Sequence, residues 1–222
     1  MKPKTIAFDI IETVFSLESM RGRLSSLELP SSALETWFAA GLRDAFALAV
    51  TGRFAPFRSV LEAVLIDLLR RHGLAPAQDQ IDSVLGGMKS LEPQPDAAEA
   101  FAAVKEAGFV VLALSNGATA STQALLERGG LTKYVNHVFS VDDVRLSKPR
   151  REVYLHAADA IGVAPGELAL VATHAWDTHG AKAAGLMTAF VSRGRPYPAT
   201  MLPPDFQGAE LADIAKSLVS AV

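Results

Sequence analysis

From residue 97 onward the sequence passes four times from helical periodicity to a short apolar run, and this alternation restricts the fold more than any other feature. Residues 97–107 read as a helix closed by Gly108, and residues 109–114 as a buried strand that stops at Ser115-Asn116-Gly117. A helix over 118–128, closed by Gly129-Gly130, leads to a short strand over 137–141. The loop Ser147-Lys148-Pro149 follows, with Pro149 suited to the first turn of a helix over 150–161. Residues 168–172 form the next strand, 177–184 the next helix and 187–192 a closing strand. Near the N-terminus, Thr5-Ile6-Ala7-Phe8 is one more apolar run, cut off by Asp9. Strands that alternate with helices pair in parallel through right-handed crossovers and are covered on both faces. The expectation is an α/β protein with a Rossmann-like parallel-sheet core.

A long insertion separates the first strand from the rest. From about Phe15 to Leu91 the apolar residues recur at helical spacing, as in Trp37, Leu42, Phe46, Val50 and again in Val60, Val64, Leu68, His72. Gly52, Pro56, Gly73 and Pro76 punctuate the stretch, and no strand-like run interrupts it. At 222 residues the chain is longer than one typical domain of roughly 100–150 residues and short for two. The division expected is a core of residues 1–15 and 94–222 with an all-helical cap over residues 16–93. The absence of cysteine removes disulfide scaffolds, thiolate metal sites and cysteine nucleophiles together. A net charge of -3 gives no electrostatic reason to expect a nucleic acid or an anionic membrane as partner. No apolar run approaches the roughly 18 residues of a membrane span, and Met1-Lys2-Pro3-Lys4-Thr5 opens no signal-peptide pattern, so a cytoplasmic protein is expected.

Open α/β sheets bind ligands at the carboxyl ends of their strands. Asp9, Ser115 with Asn116, Lys148, and His174 with Asp177 all fall there. Taken singly, each has an ordinary role: Asp9 as a turn or helix cap, Ser115-Asn116-Gly117 as a turn, Lys148 as a solvated lysine, Asp177 as an N-cap, His174 and Trp176 as packing. Four separate segments that deliver them to one edge point instead to a site.

The order of these segments, Asp9-Ile10-Ile11-Glu12-Thr13, Ser115-Asn116-Gly117, Lys148-Pro149 and His174-Ala175-Trp176-Asp177, resembles the haloacid dehalogenase superfamily. Within it, Ser-Asn-Gly, Lys-Pro followed by Tyr154, and Ala-Trp-Asp make the chain similar to the (S)-2-haloacid dehalogenases (type II). The resemblance implies that Asp9 is a nucleophile that forms a covalent ester, with no cofactor and no metal. The superfamily's phosphatases carry a second, acidic Asp two positions after the nucleophile; Ile11 stands there and cannot protonate a leaving alkoxide, whereas a halide needs no proton. By the same resemblance, Ser115 and the backbone amides of Ile10 and Ile11 hold the substrate carboxylate, Thr13 buttresses Asp9, and Tyr154 fixes Lys148. Lys148 keeps Asp9 ionised. Asn116, Phe57 and Trp176 line the pocket for halide and alkyl groups, whose length tolerance depends on its shape near Trp37, Phe38, Phe54 and Phe57.

Four residues depart from the family pattern. An arginine that usually follows a cap tryptophan and cradles the halide is replaced by Phe38, and helical spacing turns the nearby Arg43 to another face. A Ser and an Asn of the water-activating strand are replaced by Ala172 and His174, and a Gly by Glu12. A histidine oriented by a carboxylate is a standard general base. Glu12 and His174 are therefore expected to form a dyad that activates the hydrolytic water, with Asp177 assisting or positioning Lys148. The expected partner is a small halogenated carboxylic acid, and the apolar cap helices are compatible with a homodimer. Two other readings remain open: a Mg²⁺-dependent phosphohydrolase using Asp9, the Ile11 carbonyl and Asp177, and a non-catalytic protein that binds a small carboxylate.

Overall fold

The computed structural model describes residues 3–75 and 77–221. Its strands are β1 (Thr5–Phe8), β2 (Phe15–Ser16), β3 (Glu92–Pro93), β4 (Val110–Ser115), β5 (His137–Ser140), β6 (Leu168–Ala172), β7 (Met187–Val191) and β8 (Phe206–Gly208). Six of them form one sheet in the order β5-β4-β1-β6-β7-β8, every neighbouring pair parallel. The chain first winds outward from β1 through β4 to β5, then crosses back to β6 and winds the other way. The reversal happens at β1, so the carboxyl end of β1 lies at the switch point where such sheets bind ligands.

The apolar runs split by alternation across the sheet. Ile6 and Phe8 of β1, Val111 and Ala113 of β4, and Ala169 and Val171 of β6 enter one apolar cluster. Ala7, Leu112, Leu114, Leu168, Leu170 and Ala172 enter another on the opposite face. Helices α5 (Ala97–Glu106) and α9 (Leu211–Ser220) cover the first face, and α7 (Arg151–Ala160) and α8 (Ala175–Ala183) the second. Phe8 stacks on Phe101 of α5 with ring centroids 4.2 Å apart. Each such fully buried side chain contributes about 1.5–3 kcal/mol of transfer free energy.

The helical insertion comprises α1 (Ser19–Ser25), α2 (Ala33–Val50), α3 (Phe57–Arg71) and α4 (Gln78–Gly86). It folds as an all-helical cap whose apolar residues join those of the sheet's first face in one cluster. Trp37 is fully buried and donates its indole N–H to the Leu61 carbonyl at 2.8 Å, which ties α2 to α3. Gly41 permits that approach, because a Cβ there would lie 2.6 Å from Leu61 Cδ2. Gly52 and Gly73 follow α2 and α3 in the left-handed region, which ends both helices as the punctuation implied. Pro76 lies outside the described residues.

Several local expectations are corrected. The final strand is not β7: β8 and α9 follow it, and α9 packs against α5. A strand does enter the stretch read as purely helical, because β2 pairs antiparallel with β3 where the chain leaves and re-enters the core. Val50 ends α2 with 78% of its surface exposed, and His72 caps the C-terminus of α3, so neither belongs to an apolar face. Pro149 precedes α7, whose N-cap is Arg150. Helix α8 begins at Ala175 with His174 as N-cap, so Asp177 lies inside the first turn and does not cap it. No described helix is long and apolar enough to cross a membrane.

Candidate active site

Asp9 leaves β1 at the switch point and is buried, with 6% of its surface exposed. The Thr13 hydroxyl donates to Asp9 Oδ2 at 2.7 Å and accepts from the Thr173 N–H at 3.0 Å, which locks the loop after β1 to the end of β6. Lys148 Nζ, fully buried, donates to Asp9 Oδ1 at 3.0 Å and to Asp177 Oδ2 at 2.8 Å. Its own backbone N–H donates to Asn116 Oδ1 at 3.0 Å, so the Asn116 carbonyl is fixed on Lys148 and its amide NH₂ is left for other acceptors. The Ser115 hydroxyl oxygen accepts from the Gly117 N–H at 2.9 Å and keeps its proton free to donate. Among the described residues, the N–H groups of Ile10 and Ile11 find no backbone acceptor.

His174, the N-cap residue of α8, stands between two carboxylates. Its Nε2 is 2.6 Å from Glu12 Oε2 and its Nδ1 3.5 Å from Asp9 Oδ2. The Glu12 backbone has φ 65°, a left-handed conformation that costs a non-glycine residue roughly 1–2 kcal/mol. The turn is held by Glu12 N–H donating to the Phe15 carbonyl at 2.8 Å and by Gln94 Nε2 donating to the Glu12 carbonyl at 3.1 Å. A carboxylate carried on a strained backbone and held against a buried histidine is a feature that packing alone does not require. Trp176 stacks on the His174 ring at 5.2 Å and meets Phe46 of α2 edge on at 5.0 Å. Phe38 lies 6.2 Å from the His174 ring and meets Phe57 edge to face at 6.1 Å.

Two cations, Lys148 and His174, stand among three carboxylates, Asp9, Glu12 and Asp177. Burial alone would raise the Asp9 pKa, but the Lys148 charge, His174 and the Thr13 hydrogen bond outweigh it and hold the carboxyl well below the usual range. Asp177, which shares the same ammonium, is pushed upward by burial and by the Asp9 charge. Burial opposes the charge on His174, yet its contacts with Asp9 and Glu12 raise its pKa to about 9. The group is therefore an imidazolium at neutral pH. Because the ordinary value is 6.5, this stabilisation is complete below pH 6.5 and is lost as pH rises through 9. The melting temperature of the wild type is expected to fall by several degrees more than that of His174→Asn between those pH values, measured by calorimetry in matched buffers. Parallel curves for the two proteins would show that His174 carries no such linkage.

Most residues expected at the site converge, with corrections at Tyr154, Trp37 and Phe54. Tyr154 is fully buried and donates to Asp177 Oδ1 at 2.6 Å, so it fixes Lys148 only through Asp177 and does not face a substrate. Gly180 permits this packing, since a Cβ there would lie 2.9 Å from Tyr154 Oη. The Ile10 side chain is fully buried and only its backbone amide is left for the site, which agrees with the role expected of it. Trp37 is enclosed within the cap, and Phe54 packs under Arg145 with the second apolar cluster, so neither shapes the pocket. Arg43 pairs with Asp44 in solvent, as its helical phase implied. A cavity of about 450 Å³ opens beside Glu12, Phe38 and His174 and is lined also by Gln94, Arg193 and Arg195. The two arginines were not anticipated, although β7 ends on the same edge of the sheet and its carboxyl end was a place to look. Arg193 Nη2 donates to Asp96 Oδ1 at 3.0 Å and to the Thr13 carbonyl at 3.4 Å, and Arg195 Nη2 to Thr173 Oγ1 at 3.1 Å.

Residues 3–185 match the family model described as haloacid dehalogenase-like hydrolase. The chain is 32% identical to (S)-2-haloacid dehalogenase 4A of Burkholderia cepacia, over 75% of this chain and 69% of that one. It is 30% identical to (S)-2-haloacid dehalogenase 1 of Pseudomonas sp. (strain CBS-3), over 82% of this chain and 81% of that one. Among solved structures it is similar to the L-2-haloacid dehalogenase from Xanthobacter autotrophicus with chloropropionic acid covalently bound. There the TM-score is 0.88 and the identity 27%, covering 96% of this chain and 97% of that one.

Proposed function

The chain belongs to the haloacid dehalogenase-like hydrolase family, and from that premise we propose that it hydrolyses (S)-2-haloacids to (R)-2-hydroxyacids through an ester on Asp9. The observation that carries this reading is the Asp9 carboxylate, kept anionic by Lys148 at 3.0 Å and reached on its other oxygen by His174 at 3.5 Å, with Ile11 where a phosphatase has its acid. Residues 1–15 and 94–222 are taken as the core and 16–93 as the cap, a division supported by the β2–β3 pair at the junction.

In the first half-reaction an Asp9 oxygen attacks C2 of the substrate from the side opposite the halogen. The C–O bond forms as the C–X bond breaks, halide leaves with the electron pair, and the configuration inverts. Ser115 and the amides of Ile10 and Ile11 hold the substrate carboxylate, while Asn116, Phe57, Phe38 and Trp176 surround the halogen and alkyl group. In the second half, water attacks the Asp9 carbonyl carbon. His174 Nδ1, 3.5 Å from Asp9 Oδ2, takes the proton, while Glu12 steadies the ring through Nε2. The resting imidazolium cannot act as this base. Ester formation removes the Asp9 charge, one of the two causes of its raised pKa, and so prepares the base when it is needed. Collapse of the tetrahedral intermediate frees Asp9 and the 2-hydroxyacid, whose alkoxide takes the proton back.

The Mg²⁺-dependent alternative fits these residues poorly. The Lys148 ammonium bridges the two carboxylates that a Mg²⁺ ion would need, and Ile11 supplies neither a ligand side chain nor an acid. The decisive experiment incubates excess protein with (S)-2-chloropropionate in H₂¹⁸O, without metal, for one turnover. Chloride release with ¹⁸O in Asp9 and none in lactate is expected, and Asp9→Asn is expected to lose at least ~10⁴-fold of the rate. Label entering lactate directly would rule out the aspartyl ester. Phosphate release from a model ester only with Mg²⁺, and no halide release, would favour the phosphohydrolase.

A further inference from the structure

Beyond the wall formed by Phe57, a second cavity of about 260 Å³ runs between the cap and α6 (Thr119–Arg128). It opens at Ile11, two residues after the nucleophile, and at Ser115, where the substrate carboxylate is placed. Most of its further wall is apolar, from Leu61 on α3, Met88 after α4 and Leu125 on α6, while Arg58, Lys89 and Asp142 also line it. Phe57 faces this cavity while Phe38, which it meets edge to face at 6.1 Å, faces the cavity beside Glu12 and His174. The volume is just below the roughly 300–1,000 Å³ of sites for drug-sized ligands, which suits an unbranched chain. C2 of a 2-haloacid carries four groups: carboxylate, halogen, hydrogen and alkyl chain. With the carboxylate at Ser115 and the halogen opposite Asp9, a long chain needs an apolar outlet beside the nucleophile. A cavity lined by Ile11, Phe57 and Ser115 lies on that side of the site.

We propose that this enzyme is built for 2-haloacids with an extended apolar chain, and that the cavity between α3 and α6 holds the chain beyond C3. The inference rests on the dehalogenase reading. Burial of a chain in an apolar cavity improves kcat/KM by up to roughly fourfold per methylene. A series from (S)-2-bromopropionate through (S)-2-bromohexanoate to (S)-2-bromooctanoate is therefore expected to show kcat/KM rising at least tenfold from the first to the third acid. Ser121→Phe narrows the cavity from α6, and Ala118→Phe narrows it at the rim; Ser121 and Ala118 both line it. Each is expected to reduce the ratio of kcat/KM for the octanoate to that for the propionate by at least tenfold, mainly through KM.

A flat or falling series in the wild type, with halide still released from bromopropionate, would overturn the chain-length inference and leave the dehalogenase reading intact. A variant that slows all three acids equally would identify the cavity as a passage for any substrate and overturn the inference also. No halide from any acid would instead remove the parent reading, and the inference with it.

Discussion

His174→Ala is expected to stop the reaction halfway. One equivalent of halide per enzyme is released in a burst, and the protein then carries a stable ester on Asp9, read by mass spectrometry as one added alkanoate on the peptide containing that residue. Turnover falls by roughly 10²–10⁴-fold, the usual contribution of a positioned general base. The first half-reaction survives because Lys148, 3.0 Å from Asp9, still keeps the nucleophile ionised. Glu12→Gln is expected to slow hydrolysis less, since the base remains and only its orientation and charge are weakened. It should also lower the pH at which kcat reaches its plateau. In the wild type kcat is expected to rise with pH through a single ionisation below 9, because the ester form of the enzyme has lost one of the two carboxylates that raise His174 to about 9. A His174→Ala protein that turns over at the wild-type rate, or loses activity with no adduct on Asp9, would overturn the dyad.

The placement of Asp9 and His174 was legible in the sequence because both stand in loops at strand ends, and strand ends are set by apolar runs that stop abruptly. Asp9 and His174 follow the strands Thr5–Phe8 and Leu168–Ala172, which the apolar runs mark closely, and their neighbourhood follows from parallel pairing. The approach of Glu12 to His174 was less secure, since it depends on a left-handed residue that a sequence does not announce. Helix phase accounts for another difference. Helix α8 starts at Ala175 and not at Asp177, so Asp177 lies within the first turn, where it meets Lys148 as expected, and Tyr154 meets Asp177 and not Lys148. The short strand β8 has only three residues, too few for a period to register. Cavities are the least legible, because they depend on which side chains fail to fill a space. Trp37 and Phe54 look like pocket aromatics in sequence, yet one is bonded to Leu61 inside the cap and the other packs under Arg145.

Lys148→Met is expected to combine a large loss of activity with a large loss of stability. The ammonium is fully buried and is shared by Asp9 and Asp177, both also buried. Its removal leaves two carboxylates in one dry site with His174 as the remaining cation in contact with Asp9. Two like charges so placed cannot both stay ionised near neutral pH, and one carboxyl takes up a proton. Breaking a buried ion pair from one side costs about 3–5 kcal/mol, which corresponds to a fall in melting temperature of roughly 10 °C for a chain of this size. Activity falls further, by ~10³-fold or more, because without the Lys148 ammonium the nucleophile is no longer held as an anion. Stability and activity separate in the double variant Lys148→Met/Asp177→Asn. Removing the second charge is expected to restore much of the melting temperature, since Tyr154 can still donate to the amide oxygen, while activity stays lost. If the double variant recovers both, Lys148 serves only to neutralise Asp177 and plays no part in the displacement at carbon. If it recovers neither, the cost arises from a cavity left by the lysine side chain and not from the pair of unbalanced charges.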